Sequence, residues 1–145
     1  MPFEEACGLT ARVREEISEF DRDSTAYVPM ELLKKINRPA WERLASGKIS
    51  DSFQSLKSWF SSVVAAVEEI VEQHPGQRVV VVCHGGVINA YLAHCLKFSS
   101  DDFMKFDVDY TSVSRVFAST RGHRSVSAIN ERAHFRGSPH LSIRA

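Results

Sequence analysis

The chain has 145 residues, of which 43% are hydrophobic and 25% are charged, and its formal net charge at pH 7 is zero. This length suits one domain with a buried core and is too short for two ordinary domains, so we expect a single domain over residues 1–145. Three cysteines without metal-type spacing argue against a disulfide framework and a zinc site. The acidic N-terminus and the lack of an apolar run of bilayer length predict a cytoplasmic protein with no membrane partner.

The zero net charge hides an uneven distribution. Residues 110–145 hold six arginines and a single acid, Glu131, so this segment carries +5 and the remainder of the chain −5. The segment has no run of basic residues and no interleaved aromatic residues. We therefore interpret it as a solvated basic face or a rim that attracts phosphate, and we expect no nucleic-acid partner.

The first third of the chain combines helical patterns with a loop. Apolar residues at mostly helical spacing predict a helix over 1–17, although Gly8 weakens its middle. Residues 18–29 lack sustained periodicity and are rich in acids and turn formers, which predicts an ordered loop. Two short helices are predicted at 30–36 and 40–44, with a proline near the start of the second.

The clearest predicted element is a helix over residues 51–73. Its apolar side chains recur every three or four residues, and Asp51 can cap the first turn with Gln54 at the capping-box offset. The His-Pro-Gly sequence at 74–76 predicts where the helix ends. The stripe that we expect to be buried comprises Phe53, Leu56, Phe60, Val63, Val64, Val67, Ile70 and Val71.

A short apolar run, a histidine and two glycines follow in the middle of the chain. The four valines at 79–82 predict a strand that is buried on both faces, as in a parallel sheet covered by helices. His84 would then stand at the carboxyl end of the strand, with Gly85 and Gly86 at the start of the next helix. Unpaired N–H groups at a helix start favour an anion, so this arrangement predicts a phosphate site. The alternative is that the glycines only make a tight turn and that His84 is a hydrogen-bonded turn residue.

The remaining pattern completes an α/β arrangement. A helix is predicted over 87–96 and a capped turn over 99–102. The β-prone runs 112–119 and 125–129 predict a hairpin, with Gly122 at a position that suits a positive φ. A helix, a parallel-type strand and a second helix in succession predict a layered α/β fold.

Three segments together resemble the histidine phosphatase superfamily, which includes cofactor-dependent phosphoglycerate mutases and broad phosphomonoesterases. Segment 79–87 resembles the second histidine motif of the family, 110–116 resembles its closing strand, and 130–135 resembles its C-terminal segment. The resemblance runs nearly end to end. It implies a three-layer α/β/α fold with a mostly parallel mixed sheet, like that of phosphoglycerate mutase.

The same resemblance implies roles for particular residues. Residues 17–21 and 27–29 resemble the segment that carries the acidic proton donor of the family, which implies that Glu19 protonates the leaving oxygen and later takes a proton from water. His84, with Gly85 and Gly86, would contact the phosphate oxygens as charge builds on them. The implied ligand is a small phosphorylated metabolite, and no cofactor is implied.

One part of the family pattern is missing from this sequence. In the family, a histidine in an Arg-His-Gly sequence attacks phosphorus and becomes a phosphohistidine, and the 145 residues contain no such sequence. The nearest string, Arg121-Gly-His123, has the wrong order and lies on a predicted turn. The resemblance therefore implies an N-terminally incomplete domain without its nucleophile. An absent interior strand would leave backbone unpaired, which implies a homodimer or an exchange of elements between copies, a truncated gene annotation or a decayed gene product.

Two classes of function remain open at this stage. The first is an enzyme of phosphomonoester hydrolysis or transfer, and the second is a catalytically inactive phosphate-binding or interaction module. An α/β-hydrolase is excluded because the chain has no Gly-x-Ser-x-Gly sequence. We interpret His94 as a surface or capped core residue and place His123 on a turn. His134 resembles the C-terminal histidine position of the family, which implies a structural role. Arg115 either faces the site or forms a surface ion pair.

Overall fold

A computed structural model of the chain describes residues 2–22, 28, 30–45 and 53–137. These residues form five α-helices, two β-strands and two short 3-10 helices. In chain order the elements are helix α1 (Pro2–Cys7), a 3-10 helix (Glu15–Ile17), helices α2 (Met30–Ile36), α3 (Arg38–Ala45), α4 (Phe53–Gln73) and α5 (Gly85–Cys95), strands β1 (Val113–Ala118) and β2 (Arg124–Glu131), and a 3-10 helix (Ala133–Phe135).

The predicted helix over 1–17 is wrong in extent. Helix α1 ends at Cys7, and Gly8 follows with a φ of 62°, the left-handed conformation that commonly terminates a helix. Leu9 and Val13, two of the apolar residues on which the predicted helix depends, are exposed. Without a surface to pack against, the apolar spacing does not stabilise a helix beyond the glycine.

The two short predicted helices are confirmed, and the second starts two residues earlier than expected. Helix α3 begins at Arg38, and Asn37 accepts a hydrogen bond from the Ala40 N–H through its side-chain oxygen at 3.1 Å. This is the contact of an N-cap residue, which satisfies one of the backbone donors left free at a helix start. Pro39 falls within the first turn, where its missing N–H costs nothing.

The long predicted helix is confirmed as α4, and its apolar face packs on α5. The proposed cap by Asp51 lies outside the described residues. Phe103, from the segment after α5, is fully buried between the helices and contacts the rings of Trp59 and Phe60. The buried cluster comprises Leu56, Val63, Val87, Ala90, Ala93 and Phe103.

The strand predicted from the four valines at 79–82 is wrong. Residues 77–84 belong to no helix or strand, and the described residues contain a single two-stranded sheet, β1 with β2. Val80 is 60% exposed and Val82 is 72% exposed, where the prediction required burial on both faces. A buried parallel strand requires neighbouring strands and covering helices on both faces, and the described residues place no strand beside this run. The expected three-layer α/β/α arrangement with a mostly parallel mixed sheet is therefore not found among them.

The predicted hairpin is confirmed. Strands β1 and β2 pair antiparallel, with Val116 opposite Val126 and Ala118 opposite Arg124. Gly122 has a φ of 84°, as its turn position suggested. The Arg-Gly-His string at 121–123 therefore lies on the hairpin turn.

An ion pair attaches the hairpin to the helices. Arg124, whose side chain is 8% exposed, donates its Nε to the Glu68 carboxylate of α4 at 2.9 Å and pairs with the same group through a second nitrogen. Tyr91 of α5 donates its hydroxyl to Glu68 at 3.0 Å. Burial alone would raise the pKa of Glu68, but the hydrogen bonds from Arg124 and Tyr91 outweigh it and lower that pKa. One carboxylate thus joins α4, α5 and β2.

A matched pair of valine substitutions tests the burial of Val63 and the exposure of Val82. Val63→Ala empties a fully buried position in the core and should lower the free energy of unfolding by about 2 kcal/mol. Val82→Ala removes the same atoms from an exposed position and should change it by less than about 0.5 kcal/mol. Urea unfolding followed by circular dichroism measures both. Equal losses from the two substitutions would contradict the exposed placement of Val82.

Candidate functional site

The start of helix α5 presents backbone donors that the helix itself does not use. His84 is the N-cap residue, and its side chain makes no capping hydrogen bond. The first bond of the helix runs from the Ile88 N–H to the His84 carbonyl at 3.1 Å, so the N–H groups before Ile88 have no partner within the helix. Those groups carry the positive end of the helix dipole, which favours an anion.

Asn89 fixes this helix start to the chain segment that follows the helix. It is 1% exposed, and its side-chain amide donates to the carbonyl oxygens of Gly85, at 3.0 Å, and Phe106, at 2.9 Å. Its side-chain oxygen accepts from the backbone N–H groups of Lys105, at 3.0 Å, and Phe106, at 2.8 Å. A buried side-chain amide with every group used is a rigid connection, because breaking any one bond leaves a buried polar atom unpaired.

The loop that carries Glu19 is held against the same helices. Trp59 of α4 donates its ring N–H to the Ser18 carbonyl at 2.9 Å. Ile17 and Phe20, on either side of Ser18 and Glu19, pack on the buried cluster between α4 and α5, and the Phe20 ring meets Trp59 edge-on. These contacts direct the intervening residue, Glu19, toward the start of α5.

The Glu19 carboxylate lies directly on the first turn of α5. It accepts a hydrogen bond from the Gly86 N–H at 2.9 Å and another from the Phe20 N–H at 3.1 Å. A Cβ atom placed on Gly86 would stand 2.1 Å from Glu19 Oε1, which no real contact allows. Only glycine at position 86 is compatible with this approach of the carboxylate to the backbone.

The surroundings of Glu19 change its acidity. Burial raises the pKa of Glu19, and the charge of Asp21 raises it further. The hydrogen bonds from Phe20 and Gly86 and the charge of His84 oppose this effect without cancelling it. Burial, together with the nearby charge of Glu19, also raises the pKa of the Cys83 thiol to about 11, so Cys83 stays neutral.

The structure brings together the four residues that the sequence singled out. Glu19 contacts Gly86 directly, and His84 and Gly85 precede Gly86 along the chain at the same helix start. Asn89 was missed, because a single asparagine within an apolar helix gives no periodic signal. Its burial and its four hydrogen bonds identify it only once the segment after α5 is placed.

Other candidate residues lie in contacts that have no part in this site. Arg115 forms a surface ion pair with Glu131. Of the two alternatives for this arginine, the ion pair is therefore the one that the structure shows. His94 stacks on the Tyr91 ring and stands 3.6 Å from Glu68. Among the described residues there is no group of three or more histidine, cysteine, aspartate or glutamate residues that could hold a metal ion. Within the same ranges, none of the helices has the length and apolar character needed to cross a membrane.

Comparison with known proteins identifies the family. The model of the histidine phosphatase superfamily (branch 1) matches residues 1–132, and the chain belongs to this superfamily. YhfR of Bacillus stearothermophilus is a solved structure with a similar fold, with a TM-score of 0.57 at 19% sequence identity. The match covers 72% of this chain and 53% of YhfR, so the chain spans about half the length of that relative. No curated protein matches the chain. The resemblance found in the sequence is therefore confirmed at the level of the family and its phosphoglycerate mutase-like fold.

Two glycine substitutions test the contact between Glu19 and α5. Gly86→Ala should displace the carboxylate, because the new methyl group occupies its position. The pKa of Glu19 should then fall toward its ordinary value, since burial is the largest cause of its rise. Gly85→Ala is the control, because a Cβ there meets only the Val108 Cβ at 3.8 Å. Titration of the Glu19 carboxyl carbon by NMR measures both variants, and an unchanged pKa in Gly86→Ala would contradict the contact.

Glu19→Gln tests the same environment through stability. A carboxyl whose pKa is raised by folding contributes stability below its unfolded pKa, and this contribution is lost as the pH rises through the folded pKa. Glutamine does not ionise, so Glu19→Gln should become more stable than the parent chain as the pH is raised from about 4 to about 8, where carboxyls ionise. Unfolding by urea at several pH values measures the difference. A stability gap that does not change with pH would contradict the burial of the charged form.

Proposed function

We propose that this chain contributes phosphate-binding and acid–base groups to phosphomonoester hydrolysis or phosphoryl transfer through a phosphohistidine. The observation that carries the proposal is the hydrogen bond between Glu19 and Gly86, which joins a carboxyl of raised pKa to the donors at the start of α5. Membership of the histidine phosphatase superfamily supports the general chemistry. The ligand we propose is a small phosphorylated metabolite.

Each residue at the site has a role that its chemistry supports. The N–H groups of Gly85 and Gly86 would donate to the non-bridging phosphate oxygens, with His84 as a further donor. A histidine supplied from outside these 145 residues would bond to phosphorus as the phosphorus–oxygen bond to the leaving group breaks. Glu19 would give its proton to the leaving oxygen. In the second step it would take a proton from the water or hydroxyl that displaces the histidine.

A carboxyl with a raised pKa suits this role. An acid of ordinary pKa is almost wholly ionised at neutral pH and has no proton to give. Burial of Glu19 shifts it toward the protonated form, while its hydrogen bond from the Phe20 N–H keeps the ionised form accessible for the second step. The balance of these two effects supports one group acting first as acid and then as base.

The second candidate function is a phosphate-binding or interaction module without turnover. The observation that favours it is the absence of any Arg-His-Gly sequence from the 145 residues. Binding requires only donors, whereas covalent transfer requires a positioned nucleophile. The two candidates therefore differ in turnover and agree on phosphate binding.

A homodimer, or an exchange of elements between two copies, stays a prediction for the exposed segment 79–82. The valines there have no strand beside them in the part of the chain that the structure describes. A strand from a second copy would supply the missing partner.

Binding and turnover measured separately test the proposed function. The chain should bind inorganic phosphate weakly, and His84→Ala should weaken that binding about tenfold or more, the effect of losing one charged hydrogen bond. His123→Ala, an exposed histidine on the hairpin turn, is the control and should leave binding unchanged. Turnover of an aryl phosphate by the 145-residue chain should stay near background.

Two results would count against this proposal. Equal phosphate binding by the parent chain and His84→Ala would remove His84 from the site. Efficient turnover by the chain alone, lost in His84→Ala, would mean that His84 itself carries the phosphoryl group.

A further inference from the structure

The Glu19 carboxylate occupies the position that a phosphate group would need. It accepts from the Gly86 N–H at 2.9 Å, and this donor belongs to the first turn of α5. An external oxyanion at the start of the helix would need the same N–H. The structure thus contains an acidic group, supplied by the chain itself, on the donor assigned to the ligand.

We propose that Glu19 and the phosphate group of the ligand bind the Gly86 N–H in competition, so that the site admits an oxyanion only when Glu19 is protonated or displaced. This inference rests on the proposed function, because it concerns the same phosphate site. It adds a control of ligand binding by the ionisation state of Glu19.

The space around Gly86 supports competition over simultaneous binding. Glu19 Oε1 lies 2.1 Å from where a Cβ on Gly86 would stand, and Oε2 and Cδ each lie 2.8 Å from it. The carboxylate therefore fills the volume directly over the glycine. Glu19 Oε2 also stands 2.9 Å from the Gly86 nitrogen, so a phosphate oxygen that accepted from the same N–H would overlap it.

Charge acts in the same direction. Two anions at one helix start repel each other, and the repulsion is stronger where water is partly excluded. The titratable groups that act on Glu19 are Asp21 in its own loop and His84 and Cys83 in the segment before α5. Asp21 repels any anion here, protonated His84 attracts Glu19 and the ligand alike, and Cys83 stays neutral. Asp21 and Cys83 therefore do nothing to offset the repulsion between the two anions, and Glu19 and the ligand would have to share any positive charge on His84.

The competition couples ligand entry to proton uptake. Protonation of Glu19 removes its negative charge and weakens its hold on the Gly86 N–H, since a neutral carboxyl is a poorer acceptor than a carboxylate. The donor is then free for the ligand. The Glu19 that remains beside the bound phosphate carries the proton that the proposed acid step requires.

Sulfate is the probe for this competition, because its own charge is constant between about pH 5 and about pH 8.5, whereas phosphate titrates within that range. Binding is followed by the amide NMR signal of Gly86 in the parent chain and in Glu19→Gln. Glu5→Gln is the matched control, since it removes the same charge from an exposed position on α1. At the high end of the range, Glu19→Gln should bind sulfate about tenfold more tightly than the parent chain and Glu5→Gln. The gap should close toward pH 5.

The possible outcomes distinguish a failure of the competition from a failure of the proposed phosphate site. Equal sulfate affinity in the parent chain and Glu19→Gln at every pH would overturn the competition and leave phosphate binding intact. An identical pH dependence in the two chains would assign it to groups other than Glu19 and would also overturn the competition. If sulfate shifts the Gly86 signal in neither chain, the proposed phosphate site fails, and the competition fails with it.

A second measurement needs no variant. In the parent chain, sulfate should move the carboxyl carbon signal of Glu19 together with the amide signal of Gly86, as the hydrogen bond between them is broken. A shift at Gly86 with no change at Glu19 would overturn the competition.

Discussion

The packing of α4 against α5 is the contact on which the rest of the molecule depends. Ala90 and Ala93 let the two helices approach closely, and Val63 and Phe103 fill the space between them without exposure. Removal of these apolar surfaces from water is the main source of stability in a chain of this size. The same cluster holds the loop around Glu19, because Ile17 and Phe20 pack on it. The candidate site therefore exists only while the helices are packed together.

Much of the local structure could be predicted from the sequence, because its causes are local. The stripe of α4 repeats at helical spacing, and Gly122 sits where a hairpin turn requires a positive φ. The strand expected at 79–82 failed for the opposite reason. A strand is stabilised by neighbours that its own sequence does not contain, and β-branched residues show only that the run would suit a sheet.

The sequence could name candidate site residues, but it could not show how they are arranged. The histidine and glycines at 84–86 form a recognisable motif, whereas only the resemblance to the family identifies Glu19. The sequence could not show that the carboxylate rests on Gly86, since 67 residues separate them. Asn89 could not be identified for a similar reason, because three of the four backbone groups that it binds belong to an irregular segment after α5, whose path no pattern specifies.

The four valines at 79–82 have a consequence for the behaviour of the chain in solution. They form an uncharged run of high β propensity whose backbone makes no hydrogen bond within the described residues. The chain also has zero formal charge at pH 7 and a pI near 7.0, so electrostatic repulsion between molecules is weakest at neutral pH. Self-association through this run should therefore be most pronounced near pH 7 and decline on either side. The solubility of the chain at neutral pH then depends on whether these four residues stay unpaired.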